Sequence, residues 1–278
     1  MSGAAHVESW SGKDRGDENF PVGSLLIRAD LRRHVHAFYA FARNADDIAD
    51  SPVFPAGEKI DRLDAMEAVL LGRHDDGSPS ALRLRASLGE TGVSPRHATD
   101  LLIAFRRDAA TLRYATWDDL LDYCRYSAMP VGRYMLDLHG EPAEAHSSSD
   151  ALCAALQVLN HLQDCRTDLR ALDRCYLPQD LLDRFGGRIG ELDGEAATPG
   201  LRRTFDALLD EVDALNRTAA RLPLLVGSRR LRLETAAILG LSRRLARRLR
   251  RADPVAGRVK LTRTDTTGAL LGALRYLP

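Results

Sequence analysis

Alternating runs of β-branched and polar residues are missing from this sequence, and with them the signature of strands. Also missing is any uncharged apolar run near the ~20 residues that a membrane span needs. The stretch from Met1 to Asp17 is polar where a secretory leader would be apolar. These absences set aside secreted and membrane-spanning classes and lead us to expect a soluble or peripheral protein of the cytoplasm. Only four cysteines occur (Cys124, Cys153, Cys165 and Cys175), and none forms a C-x-x-C pair or a metal-like spacing with histidine. They read as free thiols in a reducing compartment. Net charge is missing too: 39 basic residues balance 39 acidic ones, so the chain carries no field that would mark a nucleic-acid binder. No G-x-G-x-x-G fingerprint is present, which weighs mildly against a dinucleotide cofactor. No Glu-x-x-His occurs either, which removes the di-iron carboxylate bundle from consideration.

What remains is helical period. Leu31, Val35, Phe38, Tyr39 and Ala42 recur at three- and four-residue steps, as do Ile60, Leu63, Met66, Val69 and Leu70. The same spacing returns in Leu101, Leu102, Phe105 and Ala109, in Phe205, Leu208, Leu209, Val212 and Leu215, and in Ile238, Leu241, Leu245 and Leu249. Turn signals separate these blocks: Ser51 to Pro55, Gly77 to Pro79, Gly92 to Pro95, Gly140 to Pro142, Gly186-Gly187 and Pro199-Gly200. None is long or biased enough to be a domain linker, and no internal repeat is visible. The expectation is an all-α fold in one domain over residues 18–278, preceded by a loosely ordered stretch over 1–17.

Two polar clusters interrupt the apolar pattern. In Arg43-Asn44-Ala45-Asp46-Asp47-Ile48-Ala49-Asp50, the carboxylates of Asp46 and Asp50 project from one helical face. In the second, Gln157, Asn160, Asp164 and Asp168 form a single stripe set among Leu156, Val158, Leu159 and Leu162. Like charges four residues apart cost a helix a few tenths of a kcal/mol, so two such pairs invite a cation. Hard carboxylate and amide oxygens suit Mg²⁺, which keeps several waters and is commonly completed by substrate phosphates. Arg43, one turn before the first aspartates, is placed to take a phosphate oxygen. One D-x-x-x-D alone is usually a solvated face; two, each with such companions, point to a site.

These clusters resemble the paired aspartate motifs of the squalene/phytoene synthase family, the head-to-head prenyl transferases. Tyr39-Ala-Phe-Ala-Arg43-Asn-Ala-Asp46-Asp47-Ile-Ala-Asp50 is similar to the family's first motif. Gln157-Val-Leu-Asn160-His-Leu-Gln-Asp164-Cys-Arg-Thr-Asp168, followed by Arg174-Cys-Tyr176-Leu-Pro178, is similar to its second, and Tyr123-Cys124 to Gly132 matches the segment between them. The resemblance covers roughly residues 18 to 262. It implies an all-α isoprenoid-synthase fold with a central cavity, two or three Mg²⁺ ions, and a prenyl diphosphate. By position it assigns the metals to Asp46, Asp50, Asp164 and Asp168, and diphosphate or metal-bound oxygens to Arg43 and Asn160. Gln157 and Tyr39 would line the cavity near the reacting carbons, with Asn19 and Arg174 as further substrate contacts.

Some segments depart from the commoner pattern. Glu18-Asn19-Phe20-Pro21-Val22 carries Asn19 where a serine is usual, and Arg125 stands where an aromatic is common. Together with Pro130-Val131-Gly132-Arg133, these segments resemble the bacterial branch, of hopanoid-type pathways, that takes presqualene diphosphate and water to hydroxysqualene without a reductant, so the resemblance implies that no NADPH is needed. That branch implies a functional link to other squalene-pathway enzymes. Arg125 and Arg133 are candidates for a diphosphate contact, weighed evenly against a surface role. The alternatives are condensation of two farnesyl diphosphates on the same fold and a non-enzymatic relative, which should have lost its aspartates. His161 reads as a packed histidine rather than a ligand, since Mg²⁺ prefers oxygen. Arg243-Arg244, Arg247-Arg248 and Arg250-Arg251 alternate with Leu241, Leu245 and Leu249, making a helix with one cationic face. A solvated surface is the default for that face, and peripheral attachment to an anionic membrane is the alternative.

Overall fold

A computed structural model describes Val7, Glu8 and residues 27–277. The Asn19 to Val22 segment lies outside the described residues, as does all of 1–17 except Val7 and Glu8. The fold is all-α: among the described residues there is no strand, only an isolated bridge between Arg113 and Cys175. The chain divides into two compact units.

The first unit comprises the described residues up to Thr111 together with Arg133–Gly140. It contains α1 (Arg32–Ala49), α2 (Ala56–Leu70), α3 (Pro79–Thr91), α4 (Arg96–Asp108) and most of α6 (Met129–Leu138). Its core gathers Phe38, Phe41, Ile48, Leu63, Met66, Leu84, Leu101, Leu102 and Tyr134. The buried face of α1 runs Val35, Phe38, Phe41, Ala45, Ile48, whereas Tyr39 and Ala42 are only half buried. The expected face was therefore rotated, because α1 is apolar on most sides between Val35 and Ala42 and spacing alone leaves the inward direction open. Tyr134 stacks on Phe38 with ring centroids 3.9 Å apart and donates its hydroxyl to the His34 carbonyl at 3.0 Å. The α3 start is capped by the Ser78 side chain with Pro79 at the first helical position. Glu8 accepts from Ser78 Oγ at 2.8 Å and from the Ser80 N–H at 2.6 Å, placing a carboxylate at that helix N-terminus.

The second unit comprises Leu112–Gly132 and the described residues from Glu141 onward. It contains α5 (Trp117–Ser127), α7 (His146–Leu172), α8 (Gln179–Phe185), α9 (Pro199–Ala219), the short α10 (Leu222–Leu225), α11 (Arg229–Arg251) and α12 (Arg263–Ala273). The long α7 packs on α5, α9 and α11, and α11 packs on α12. Capping boxes open α5 through Thr116 and Asp119, and α12 through Thr262 and Asp265. Pro199-Gly200, expected as a turn, instead opens α9 behind the Thr198 cap, because proline at the first helical position gives up an N–H that has no helical partner anyway.

Gly132 shows why the Pro130 to Arg133 segment is built as it is. A Cβ there would lie 2.3 Å from Ser149 Oγ and 2.6 Å from Cys153 Sγ, so the start of α6 approaches α7 at a distance that admits only hydrogen. Pro130, at the second position of α6, costs no helical hydrogen bond. All four cysteines are free thiols, as expected.

Candidate active site

The first carboxylate set stands on the last two turns of α1. Arg43 is largely buried and bridges two neighbours, with guanidinium nitrogens 3.1 Å from Asp46 Oδ2 and 3.1 Å from Asp47 Oδ1. Asp47 lies buried, while the Asp46 carboxylate keeps about a third of its surface open. Protein nevertheless surrounds Asp46 closely enough that burial, followed by repulsion from Asp50, raises its pKa from 3.8 to about 8, against the pull of Arg43. Asp108 and Asp47 add to the rise. Tyr39 and Arg43 also line a cavity of about 340 Å³ on α1, together with Arg33, His36 and Arg83.

The second set occupies one face of α7. Gln157, Asn160, Asp164 and Asp168 are all partly open, while Val158, Leu159 and Leu162 are buried, as the helical spacing predicts. Asp164 receives a two-pronged contact from Arg258, at 2.8 and 3.0 Å. The α7 helix ends on Asp173 in the left-handed region (φ 51°), a conformation that a short polar side chain tolerates. Arg113 pairs with that carboxylate at 2.6 Å. Arg174 follows, buried, and its N–H returns to the Asp168 carbonyl at 3.2 Å.

His161 faces away from this stripe. Its ring stacks on Tyr176 at 3.5 Å beside Tyr123, in a cluster completed by Tyr114. Burial, aided by the charge of Arg174, pushes its pKa down to about 3, which makes it a neutral packed ring. Arg125 lies on α5 with its side chain 63% exposed, 3.5 Å from Asp122. Among the described residues no three His, Cys, Asp or Glu side chains form a metal site of protein groups alone.

The donor set fits Mg²⁺. Each stripe offers hard oxygens on a partly open face, His161 of α7 is turned into the aromatic cluster, and Asp46 sits among like charges that a cation would relieve. Two members of these surroundings stand outside the two spaced stripes. Asp108 is a buried carboxylate at the end of α4. It falls seven residues after Leu101 and four after Ala104, on that helix's apolar face and at the end where the macrodipole disfavours negative charge. That mismatch was a readable signal. Arg258 had none, because it belongs to the loop between α11 and α12, 94 residues from its partner Asp164.

A family model described as squalene/phytoene synthase matches residues 13–265. The chain is 45% identical to the hydroxysqualene synthase of Rhodopseudomonas palustris over 99% of this chain and 93% of that protein. It is 43% identical to the hydroxysqualene synthase of Sinorhizobium fredii over 88% of this chain and 84% of that protein. Among solved structures, a squalene synthase from Alicyclobacillus acidocaldarius superposes with a TM-score of 0.75 at 34% identity, covering 85% of this chain and 90% of that one. A dehydrosqualene synthase superposes at 0.80 with 23% identity, over 94% of this chain and 92% of that one, which speaks for the fold alone.

Proposed function

The chain belongs to the squalene/phytoene synthase family, and from that premise we propose that it converts presqualene diphosphate and water to hydroxysqualene and diphosphate. The observation that carries this reading is the near-full-length likeness to relatives named hydroxysqualene synthase.

In this proposal Asp46, Asp50, Asp164 and Asp168, with Asn160, hold the Mg²⁺ ions. When bound, those ions supply Lewis-acid neutralisation and a template for the leaving diphosphate. Arg43 contributes a fixed guanidinium beside Asp46, within the same set, for a diphosphate oxygen. Arg174, Asn19 and Arg125 are proposed as further diphosphate contacts, and Gln157 and Tyr39 as cavity wall near the reacting carbons. The carbon–oxygen bond breaks with its electron pair leaving on diphosphate. The cyclopropylcarbinyl cation rearranges, water forms the new carbon–oxygen bond, and that water loses a proton. Nothing is oxidised or reduced, so no NADPH enters. Tyrosine faces such as that of Tyr39 would stabilise the cation by about 1–2 kcal/mol where water is excluded.

Location at the cytoplasmic face of a membrane belongs to the same proposal, because substrate and product are oily. Among the described residues no helix is long and apolar enough to cross a bilayer. The test is to incubate the purified chain separately with presqualene and farnesyl diphosphates, each with Mg²⁺ and no NADPH. Consumption of presqualene diphosphate with release of an alcohol is expected. Consumption of farnesyl diphosphate alone would move the chain to the condensing branch.

A further inference from the structure

Four of the large hydrophobic side chains that stand exposed among the described residues crowd into the last stretch of chain: Leu270, Leu271, Leu274 and Leu277. Elsewhere such side chains are scattered singly, which is ordinary for a protein surface. On α12 the inward positions are Ala269 and Ala273, which are buried. Leu270 and Leu271 therefore fall on the outer side of the same helix, with Leu274 in the short turn that follows it, and Leu271 is 64% exposed.

Along the flank of α12 runs a groove of about 350 Å³, lined by Arg244, Arg247, Arg248 and Arg251 of α11 and by Asp265. Four guanidiniums against one carboxylate leave three positive charges there. Arg248 is the one that is tied down, by Asp265 and by Thr262 Oγ1 at 3.0 Å. Arg244, Arg247 and Arg251 make no ion pair among the described residues; Arg244 donates to the Gly240 carbonyl at 3.2 Å and Arg247 to the Arg243 carbonyl at 3.1 Å. The contrast lies on the same helix: Arg250 meets Asp210 and Asp213, each at 2.7 Å. Charge is matched on one side of α11 and left over on the other.

Gly268 marks where groove and apolar ridge meet. A Cβ there would lie 2.7 Å from Arg244 Nη2, so the guanidinium rests directly against α12. Arg263 and Arg275, both exposed, add charge at the two ends of the ridge. Exposed leucines beside unmatched arginines are the makings of an interfacial surface. The apolar side chains enter the headgroup–acyl boundary, and the cations meet phosphates at its surface.

We propose that this α11–α12 surface docks the protein peripherally on an anionic lipid bilayer, with Leu270, Leu271 and Leu274 inserted and Arg244, Arg247 and Arg251 on lipid phosphates. The occupant follows from charge complementarity combined with the ridge: a free anion would leave the leucines in water, and a neutral bilayer would leave the arginines unanswered. The surface stands on these residues whatever reaction the chain catalyses.

The test is flotation of the full chain with vesicles of phosphatidylcholine alone and of equal parts phosphatidylcholine and phosphatidylglycerol. Co-flotation with the mixed vesicles is expected, falling about tenfold or more as salt rises from about 0.05 to about 0.5 M. R247Q/R251Q should weaken it by a similar factor, and L271S/L274S should weaken it even at low salt. Both variants should melt with the parent and turn over detergent-dispersed substrate at the parent rate, which separates this result from any failure of the proposed reaction. Absence of flotation, equal binding to neutral vesicles, or indifference to both double substitutions would overturn the proposal. So would a dimer that L271S/L274S converts to monomer without vesicle binding, since the ridge would then face a second copy.

Discussion

Asp46 sits where an isolated carboxylate would not choose to be. Burial and the neighbouring Asp50 raise its pKa to about 8 although Arg43 lies 3.1 Å away. Because the folded value lies above the unfolded one, the fold loses stability as pH climbs from about 4 toward 8. D46N removes that charge, so its melting temperature at neutral pH should equal or exceed the parent's while turnover falls by at least about a hundredfold. D164N should lose activity comparably; near-normal turnover in either variant would sink the metal-site proposal. Tyr134 gives a pH test away from these groups. Burial raises its pKa from 10 to about 12, with the Ser87 hydrogen bond opposing only in part. Stability it contributes is complete below pH 10 and is lost as pH rises toward 12, on the order of 1 kcal/mol per pH unit. Y134F should therefore be about 1 kcal/mol less stable at neutral pH, having lost the bond to the His34 carbonyl, yet should unfold less steeply in alkali. Urea melts at pH 7 and pH 11 would show both effects. At this scale the aspartates were legible because they repeat at helical steps. Arg258 was not, since loop residues reach partners that spacing cannot name.

Among the elements, α7 is the one whose role the sequence states most fully. Its polar stripe and its apolar neighbours differ by a single residue step, so burial of one dictates partial exposure of the other. The orientation of α1 was harder to read, because apolar residues flank the true face and only packing around Phe41 and Ile48 decides it. Helix junctions show a similar division. Pro199 reads locally as a turn and structurally as a first helical residue. The approach of α6 to α7 at Gly132 is a contact between distant segments, visible only once they are folded together. G132A should push Ser149 and Cys153 out of place and cost about 1–3 kcal/mol, read as a lower denaturant midpoint with unchanged slope. A midpoint equal to the parent's would mean that α7 yields at this point without strain.

For the molecule as a whole, the absence of strand patterns and the recurrence of helical period had already narrowed the fold to a helical protein, and balanced charge had set aside nucleic-acid binding. The two aspartate stripes then narrowed the chemistry to a diphosphate and hard cations. Family membership over residues 13–265 agrees with the helical fold. What separates joining two prenyl chains from ionising one is finer than either, because both reactions ask for the same metals and the same leaving group. The difference is the fate of the cation, captured by water when one chain is ionised and by the double bond of a second prenyl diphosphate when two are joined. The decisive measurement is therefore the product formed from presqualene diphosphate and Mg²⁺ in heavy-oxygen water, without NADPH, identified by mass spectrometry. Hydroxysqualene whose alcohol oxygen carries the heavy isotope from solvent is expected. An alcohol bearing only ordinary oxygen, or no conversion of presqualene diphosphate at all, would contradict the proposed reaction.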